Sequence, residues 1–441
     1  MDTSAILSVV STRSVGVYTQ EEQTAQALSR TILQCQLTLN QTKDDNAVHD
    51  NQKKAASDVV DVICDLTKVW TLVLGNTQSG KTGVMISLID QMMTHPTLNS
   101  TPIENICVIT ALSSVDWMDQ TKGRFPECLD KQVFHLPGLL KKFVPYAESR
   151  SNMIIMLDEA QYGAKSGQSL HKAFSRLGFT DLETLMKRNI HIVMFSATPS
   201  GVNYTLDDWG VHGARVILDE GTGYVSAADL MAMGKLHQYN DLCGINSAGD
   251  QIVELSKVEQ NLSELRTTVL SFHTPRYHII RTPTRKQMKT TFTCNIRRVL
   301  RDVCEFVSYD MTTAKKQKQK QDINVILREE PEKHTIIFIK ETLRCAKTIF
   351  KKFIGVMVER HTSSIAVSDE VIIQGVRLTG YDYNGDAIMF TNIESVEKYK
   401  KLSESKFKDK SIAWKSSTTL NPRGLDETTP RTTFMKRSVK N

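Results

Sequence analysis

The chain has 441 residues, about three times the ~150 residues of a typical domain, so two or three domains are expected. With 40% hydrophobic, 24% charged and 7% aromatic residues it has material for buried cores, and a collagen-like chain is excluded. No apolar run approaches the ~20 residues of a membrane span. The opening stretch Met1–Ser14 carries an early acid and too few apolar residues for a secretory signal. The eight cysteines include no C-x-x-C pair, which argues against a zinc module or disulfide scaffold and suits a reducing, intracellular compartment. The net charge of +6 is concentrated: residues 400–441 hold eleven Lys/Arg against four acids, so the rest is close to neutral.

In chain order, residues 1–56 read as a polar, mostly helical segment, and Ala55–Leu66 has apolar residues at helical spacing. A short strand, Val69–Leu74, leads through a glycine-rich turn into a helix over Gly83–Met93. Strand-like runs follow at Ile106–Thr110, Met153–Leu157 and Ile190–Phe195. Strands alternating with helices over residues 57–215 imply a parallel sheet covered on both faces. Residues 216–333 read as a helical insertion or linker with helices near Ser226–Gly234 and Val258–Leu270, a basic strand at Arg276–Arg281, and an exposed Lys/Gln run. A smaller α/β unit is expected over 334–405: strands at Thr335–Ile339, Ile354–Val358 and Ala387–Thr391, helices at Thr342–Phe353, Asp369–Leu378 and Ile393–Leu402. The Ser/Thr-rich basic stretch 406–441 reads as disordered, either an electrostatic arm for a polyanion or a solvated tail.

Three motifs carry chemistry. Gly75-Asn76-Thr77-Gln78-Ser79-Gly80-Lys81-Thr82 is a complete G-x-x-x-x-G-K-T between a strand and a helix. Such a loop wraps backbone N–H groups round phosphates, while the lysine and threonine reach the phosphates and Mg²⁺. Asp158-Glu159-Ala160-Gln161 ends the apolar run from Met153; Asp158 can hold Mg²⁺ through water and Glu159 can orient or deprotonate an attacking water. Ser196-Ala197-Thr198-Pro199 ends a third apolar strand.

In this order and spacing the three resemble motifs I, II and III of superfamily 2 helicases, DEAD/DEAH-like proteins with two RecA-like domains, of the kind found in large DNA viruses and phages. The resemblance implies an α/β fold of two RecA-like parallel-sheet domains with a helical N-terminal segment and a disordered basic tail. It implies ATP and Mg²⁺ as cofactors, with Lys81, Asp158, Glu159, Gln161 and the arginine Arg377 catalytic. Gly75 to Thr82, with Gln52 reading adenine, would bind ATP; a surface role for Gln52 is the alternative. Thr110, Ser113, Ser114, Trp117 and Arg124 resemble motif Ia and would touch nucleic acid, DNA ahead of RNA. Ser196 and Thr198 would couple hydrolysis to the strand. Gln374 to Tyr381 resembles motif VI, but with three residues from Gln374 to Arg377 and Gly380 at the second arginine position. Arg377 is therefore an arginine finger or a surface salt bridge.

The basic residues Arg276, Arg281, Arg285, Lys286 and Lys289, interleaved with Phe272, Tyr277 and His278, read as a strand-binding path or a guarded sheet edge. His191, His212, His237 and His334 lack metal-ligand spacing and read as structural; Met92, Met93, Met231 and Met233 read as core or gap fillers. The activity expected is nucleic-acid-dependent ATP hydrolysis driving translocation or unwinding, inside a cell, in host cytoplasm or nucleus, or in a virion. The competing readings are an ATP-binding scaffold of the same fold with impaired turnover, and a P-loop phosphotransferase.

Overall fold

The structure, a computed structural model, describes residues 20–41, 47–110, 121–159, 168–198, 202–246, 248–310, 322–340, 348–361, 367–368, 377–409, 411–412 and 414–415. The chain divides into two units after Gly221. No helix among the described residues is long and apolar enough to cross a membrane.

The first unit opens with α1 (Gln20–Gln41) and α2 (Asp50–Cys64), followed by β1 (Trp70–Gly75) and α3 (Lys81–Thr94). Then come β2 (Ile106–Thr110), β3 (Val133–His135), β4 (Met153–Asp158), α4 (Ser169–Leu177), α5 (Leu182–Lys187), β5 (Ile190–Ser196), α6 (Val202–Trp209) and β6 (Gly213–Leu218). The six strands form one parallel sheet in the order β3-β2-β4-β5-β1-β6. β1, β2, β4 and β5 are buried along their whole length, which is why they read as continuous apolar runs rather than alternating ones.

One face of this sheet is covered by α2 and α3. Val59, Ile63, Val84, Leu88 and Ile89 pack with Val73, Val193 and Phe195 of the strands. Each such side chain contributes roughly 1.5–3 kcal/mol by leaving water. On the opposite side Trp70 lies 5.2 Å from Trp209 and 6.5 Å from Phe174, ring centre to ring centre. The N-terminal segment belongs to this unit. α1 contributes Leu33 and Leu37 to the core and Gln34 donates to Asp90, while α2 runs across the boundary expected at residue 56.

The second unit contains α7 (Ala227–Ala232), β7 (Leu236–Gln238), α8 (Leu255–Leu270), β8 (Tyr277–Arg281), α9 (Lys286–Leu300), β9 (Cys304–Asp310) and α10 (Ile323–Arg328). It continues with β10 (His334–Lys340), β11 (Ile354–Val358), the two-residue β12 (Val367–Ser368), β13 (Ile388–Thr391), α11 (Ile393–Glu404) and β14 (Trp414–Lys415). Its main sheet is also six-stranded and parallel, in the order β7-β13-β11-β8-β10-β9.

That topology corrects several expectations. Residues 216–333 are not a helical linker: β6 completes the first sheet, and β7, β8 and β9 supply three of the six strands of the second. The unit expected over 334–405 is therefore not abbreviated; half of its sheet comes from earlier chain. β8 is an interior strand, buried throughout, so Tyr277, His278 and Arg281 belong neither to a strand-binding path nor to a guarded edge. Arg281 is paired with Glu359, both 7% exposed, and Arg276 with Asp386. Residues 348–353 are not helical, and 341–347 and 369–376 lie outside the described residues. Phe407 at the start of the basic tail is buried against Tyr399, and β14 pairs with β12; residues 416–441 lie outside the described residues. Met92 and Met93 are core, whereas Met233 is exposed.

Burying a polar strand such as β8 needs partners for its side chains. The Val356 backbone N–H donates to His278 Nδ1 at 3.1 Å, which leaves the proton on Nε2, facing His334 Nδ1 at 3.0 Å. Gly355 makes room for the ring: a Cβ there would stand 2.8 Å from His278 Cε1. Burial first, then the nearby His334 and Arg276, push the His278 pKa down to about 3. An unfolded chain takes up this proton near pH 6.5 and the folded one does not, so His278 contributes stability above pH 6.5 that is lost as pH falls toward 3. Between pH 7 and 5 the wild-type protein should lose about 2 kcal/mol more urea stability than His278→Gln. Equal losses in the two proteins would contradict the buried neutral imidazole.

Candidate nucleotide site

In a parallel sheet covered by helices, the carboxyl ends of the strands open onto one edge, where loops can meet a ligand. Four loops of the first unit start there, after β1, β2, β4 and β5.

The loop after β1 is shaped by small residues. Gly75 sits where a Cβ would come within 2.9 Å of both Leu218 Cβ and Ser79 Oγ. Gln78 and Gly80 have φ of 58° and 92°, and the left-handed turn at Gly80 starts α3 directly at Lys81. Ser79 folds back, its N–H and hydroxyl donating to the Asn76 carbonyl at 3.2 and 2.7 Å. Lys81 is 7% exposed, with Nζ donating to the carbonyls of Asn76 (2.9 Å) and Gly75 (3.3 Å). Asn76 Nδ2 donates to Glu220 at 2.6 Å. Thr77 is buried and Thr82 half-buried in the same loop.

Gln52 supports this loop from behind. It is 2% exposed, which excludes the surface role. Its Oε1 accepts the His49 backbone N–H at 3.2 Å and its Nε2 donates to the Ser79 carbonyl at 3.4 Å. A Cβ on Gly80 would lie 1.9 Å from Gln52 Nε2, and one on Gly83 would lie 2.0 Å from Oε1. The amide thus fills the space that two glycines leave open. A glycine inside the first turn of a helix was the sequence signal for such a close approach.

β4 delivers Asp158 (6% exposed) and Glu159 (2% exposed). Glu159 has φ 53°, a left-handed conformation that costs a non-glycine residue of order 1 kcal/mol or more and clusters at functional sites. Burial first, then the Glu159 charge, raise the Asp158 pKa well above the usual carboxylate range; Lys81 and Arg124 oppose this. Burial pushes the Lys81 ammonium below its ordinary value, against the attraction of Glu159 and Asp158. Two carboxylates and two cations therefore share one buried corner.

Arg124 differs from expectation. Its Nη1 donates to the Thr82 hydroxyl at 3.3 Å, so this motif Ia-like arginine stands beside the phosphate loop. Thr110 is fully buried with its hydroxyl toward the Phe134 carbonyl at 3.4 Å, and has no exposed atoms to offer a strand. Ser196 and Thr198 are fully buried at the end of β5, beside β1, and the Thr198 N–H donates to Ser196 Oγ at 3.0 Å. Gln161, Ser113, Ser114 and Trp117 lie outside the described residues.

Arg377 belongs to the second unit. It is 1% exposed, which removes the surface salt bridge, and its charge depresses the Lys351 ammonium, after burial; Asp382 opposes both. Among the described residues no group of three or more His, Cys, Asp and Glu could hold a metal ion. Mg²⁺, if bound here, would find oxygen donors of the kind it prefers in the Thr82 hydroxyl and the Asp158 carboxylate.

No family model matches the chain. A curated relative, the uncharacterized protein L594 of Acanthamoeba polyphaga mimivirus, is 29% identical over 328 residues, covering 69% of this chain and 75% of its own. Similar solved structures include Saccharomyces cerevisiae Dbp5 bound to RNA and ADP BeF3, at 14% identity and a TM-score of 0.43, covering 85% of this chain and 95% of that one. The Escherichia coli DEAH/RHA helicase HrpB is similar at 12% identity and a TM-score of 0.45, over 78% of this chain and 43% of that one.

The packing of Gln52 on Gly83 yields a double-mutant test. Gly83→Ala should destabilise the protein by about 1–3 kcal/mol through overpacking. Adding Gln52→Ala should recover about 1 kcal/mol relative to additivity, read from urea midpoints. Additive costs would mean that the two residues do not share that space.

Proposed function

We propose that the chain is a nucleic-acid-dependent ATPase of helicase type, using ATP hydrolysis to move along or separate nucleic-acid strands. The observation that carries this reading is that the ends of β1 and β4 bring Lys81 and Thr82 to the same sheet edge as the buried Asp158 and Glu159. A phosphate loop alone binds nucleotide; a phosphate loop facing two buried carboxylates has the groups to hydrolyse it.

In this reading the backbone N–H groups of Gly75–Thr82 and the dipole of α3 hold the phosphates. Lys81 leaves the loop carbonyls to meet them as a point charge. Mg²⁺, when bound beside Thr82 and Asp158, neutralises phosphate charge. Glu159, held in its left-handed conformation, accepts the proton of the attacking water. Ser196 and Thr198 sit on the strand next to β1, where a change in the phosphate loop reaches them through packed backbone. The basic stretch of residues 406–441 gives the nucleic acid an electrostatic partner. An ATP-binding scaffold of the same fold is the second reading, favoured by the commitment of Arg377 to the interior of the second unit.

Phosphate release measured with and without single-stranded DNA or RNA separates them. Stimulated release in the full chain supports the motor, and nucleotide binding without release supports the scaffold. Lys81→Ala should abolish hydrolysis. Glu159→Gln should retain nucleotide while slowing turnover by about 10²-fold or more. Wild-type rates in both variants would place the chemistry elsewhere.

A further inference from the structure

We infer that Arg124 is a catalytic arginine acting in cis: it supplies the positive charge for the transferring phosphate from the same unit that carries the phosphate loop. This rests on the ATPase reading above and names a residue that the motif resemblance assigned to nucleic acid.

Two observations carry it. Arg124 Nη1 donates to the hydroxyl of Thr82, the residue that follows Lys81. Any phosphate that engages Thr82 is therefore a direct neighbour of the guanidinium. Second, Arg124 follows β2, which lies next to β4 in the sheet, so topology delivers it to the same carboxyl edge as Asp158. Half-buried, its charge is screened by water less than a surface charge would be.

The chemistry suits an arginine. Charge on the transferring phosphate develops on oxygens in a plane, and a guanidinium offers a rigid fork of donors that stays protonated. A phosphate held by the loop would compete with the Thr82 hydroxyl for that fork. A strand-binding arginine needs none of these neighbours. An arginine on the hydrolytic unit itself also accounts for a chain in which Gln374 and Arg377 lie only three positions apart and Gly380 stands at the second arginine position.

The test uses the full chain and three readouts: affinity for ADP, affinity for ADP with aluminium fluoride as transition-state mimic, and affinity for single-stranded DNA and RNA. Arg124→Ala should bind ADP within about threefold of wild type and the aluminium fluoride complex at least tenfold more weakly, with nucleic-acid affinity unchanged. Arg124→Lys, which keeps charge and loses the fork, should fall between, and serves if the alanine variant folds poorly. Unchanged affinity for the mimic would overturn the assignment. So would a fall in nucleic-acid affinity alone, which would return Arg124 to the strand path. Lys81→Ala is the control for the underlying reading: if it binds ADP as tightly as wild type, the nucleotide site itself is misplaced, whatever Arg124 does.

Discussion

The first unit depends on keeping opposite charges buried together at one sheet edge. Lys81, Asp158 and Glu159 are each less than 8% exposed. Isolated, any one of them would cost several kcal/mol to desolvate; together they offset one another only in a fixed geometry. The rest of the unit supplies that geometry. The parallel sheet brings the ends of β1 and β4 to one side, the left-handed turn at Gly80 aims α3, and Gln52 wedges the loop from behind. In the proposed reading, a polyanionic ligand with a divalent cation would take over the charge balance that these groups now supply to one another.

The second unit buries charge for a different end. Arg281 with Glu359 is buried on both sides, while the buried Lys351 and the neutral His278 reach the more exposed Asp382 and His334. These pairings satisfy buried polar groups and so favour one packing of the unit. Arg377 sits among these interior groups.

Much of the site was legible in the sequence because its chemistry is local. Gly75 to Thr82 and Asp158-Glu159 are short contiguous runs whose meaning survives without coordinates, and the unbroken apolar strands before them announce a sheet buried on both faces. What was not legible depends on spatial order. β8 reads as a basic edge because its arginines and histidine look solvated; that Glu359, Asp386 and His334 meet them is a property of strands far away in the chain. The second sheet seemed short because β7, β8 and β9 are separated by helices, and nothing in their sequence says which sheet they join. Arg124 was read by its place after β2. Only the fold shows that its side chain turns to Thr82.

The central claim is that the buried corner around Lys81 is built for a magnesium nucleotide. Thermal unfolding of the full chain with Mg²⁺ and a non-hydrolysable ATP analogue tests this most directly. At a concentration about a hundredfold above the dissociation constant, bound ligand adds about 2.7 kcal/mol, so the first transition should rise by about 5 °C or more. Lys81→Ala and Asp158→Asn should each remove most of that rise. A wild-type midpoint that does not move with ligand, or one that moves equally in both variants, would contradict the account.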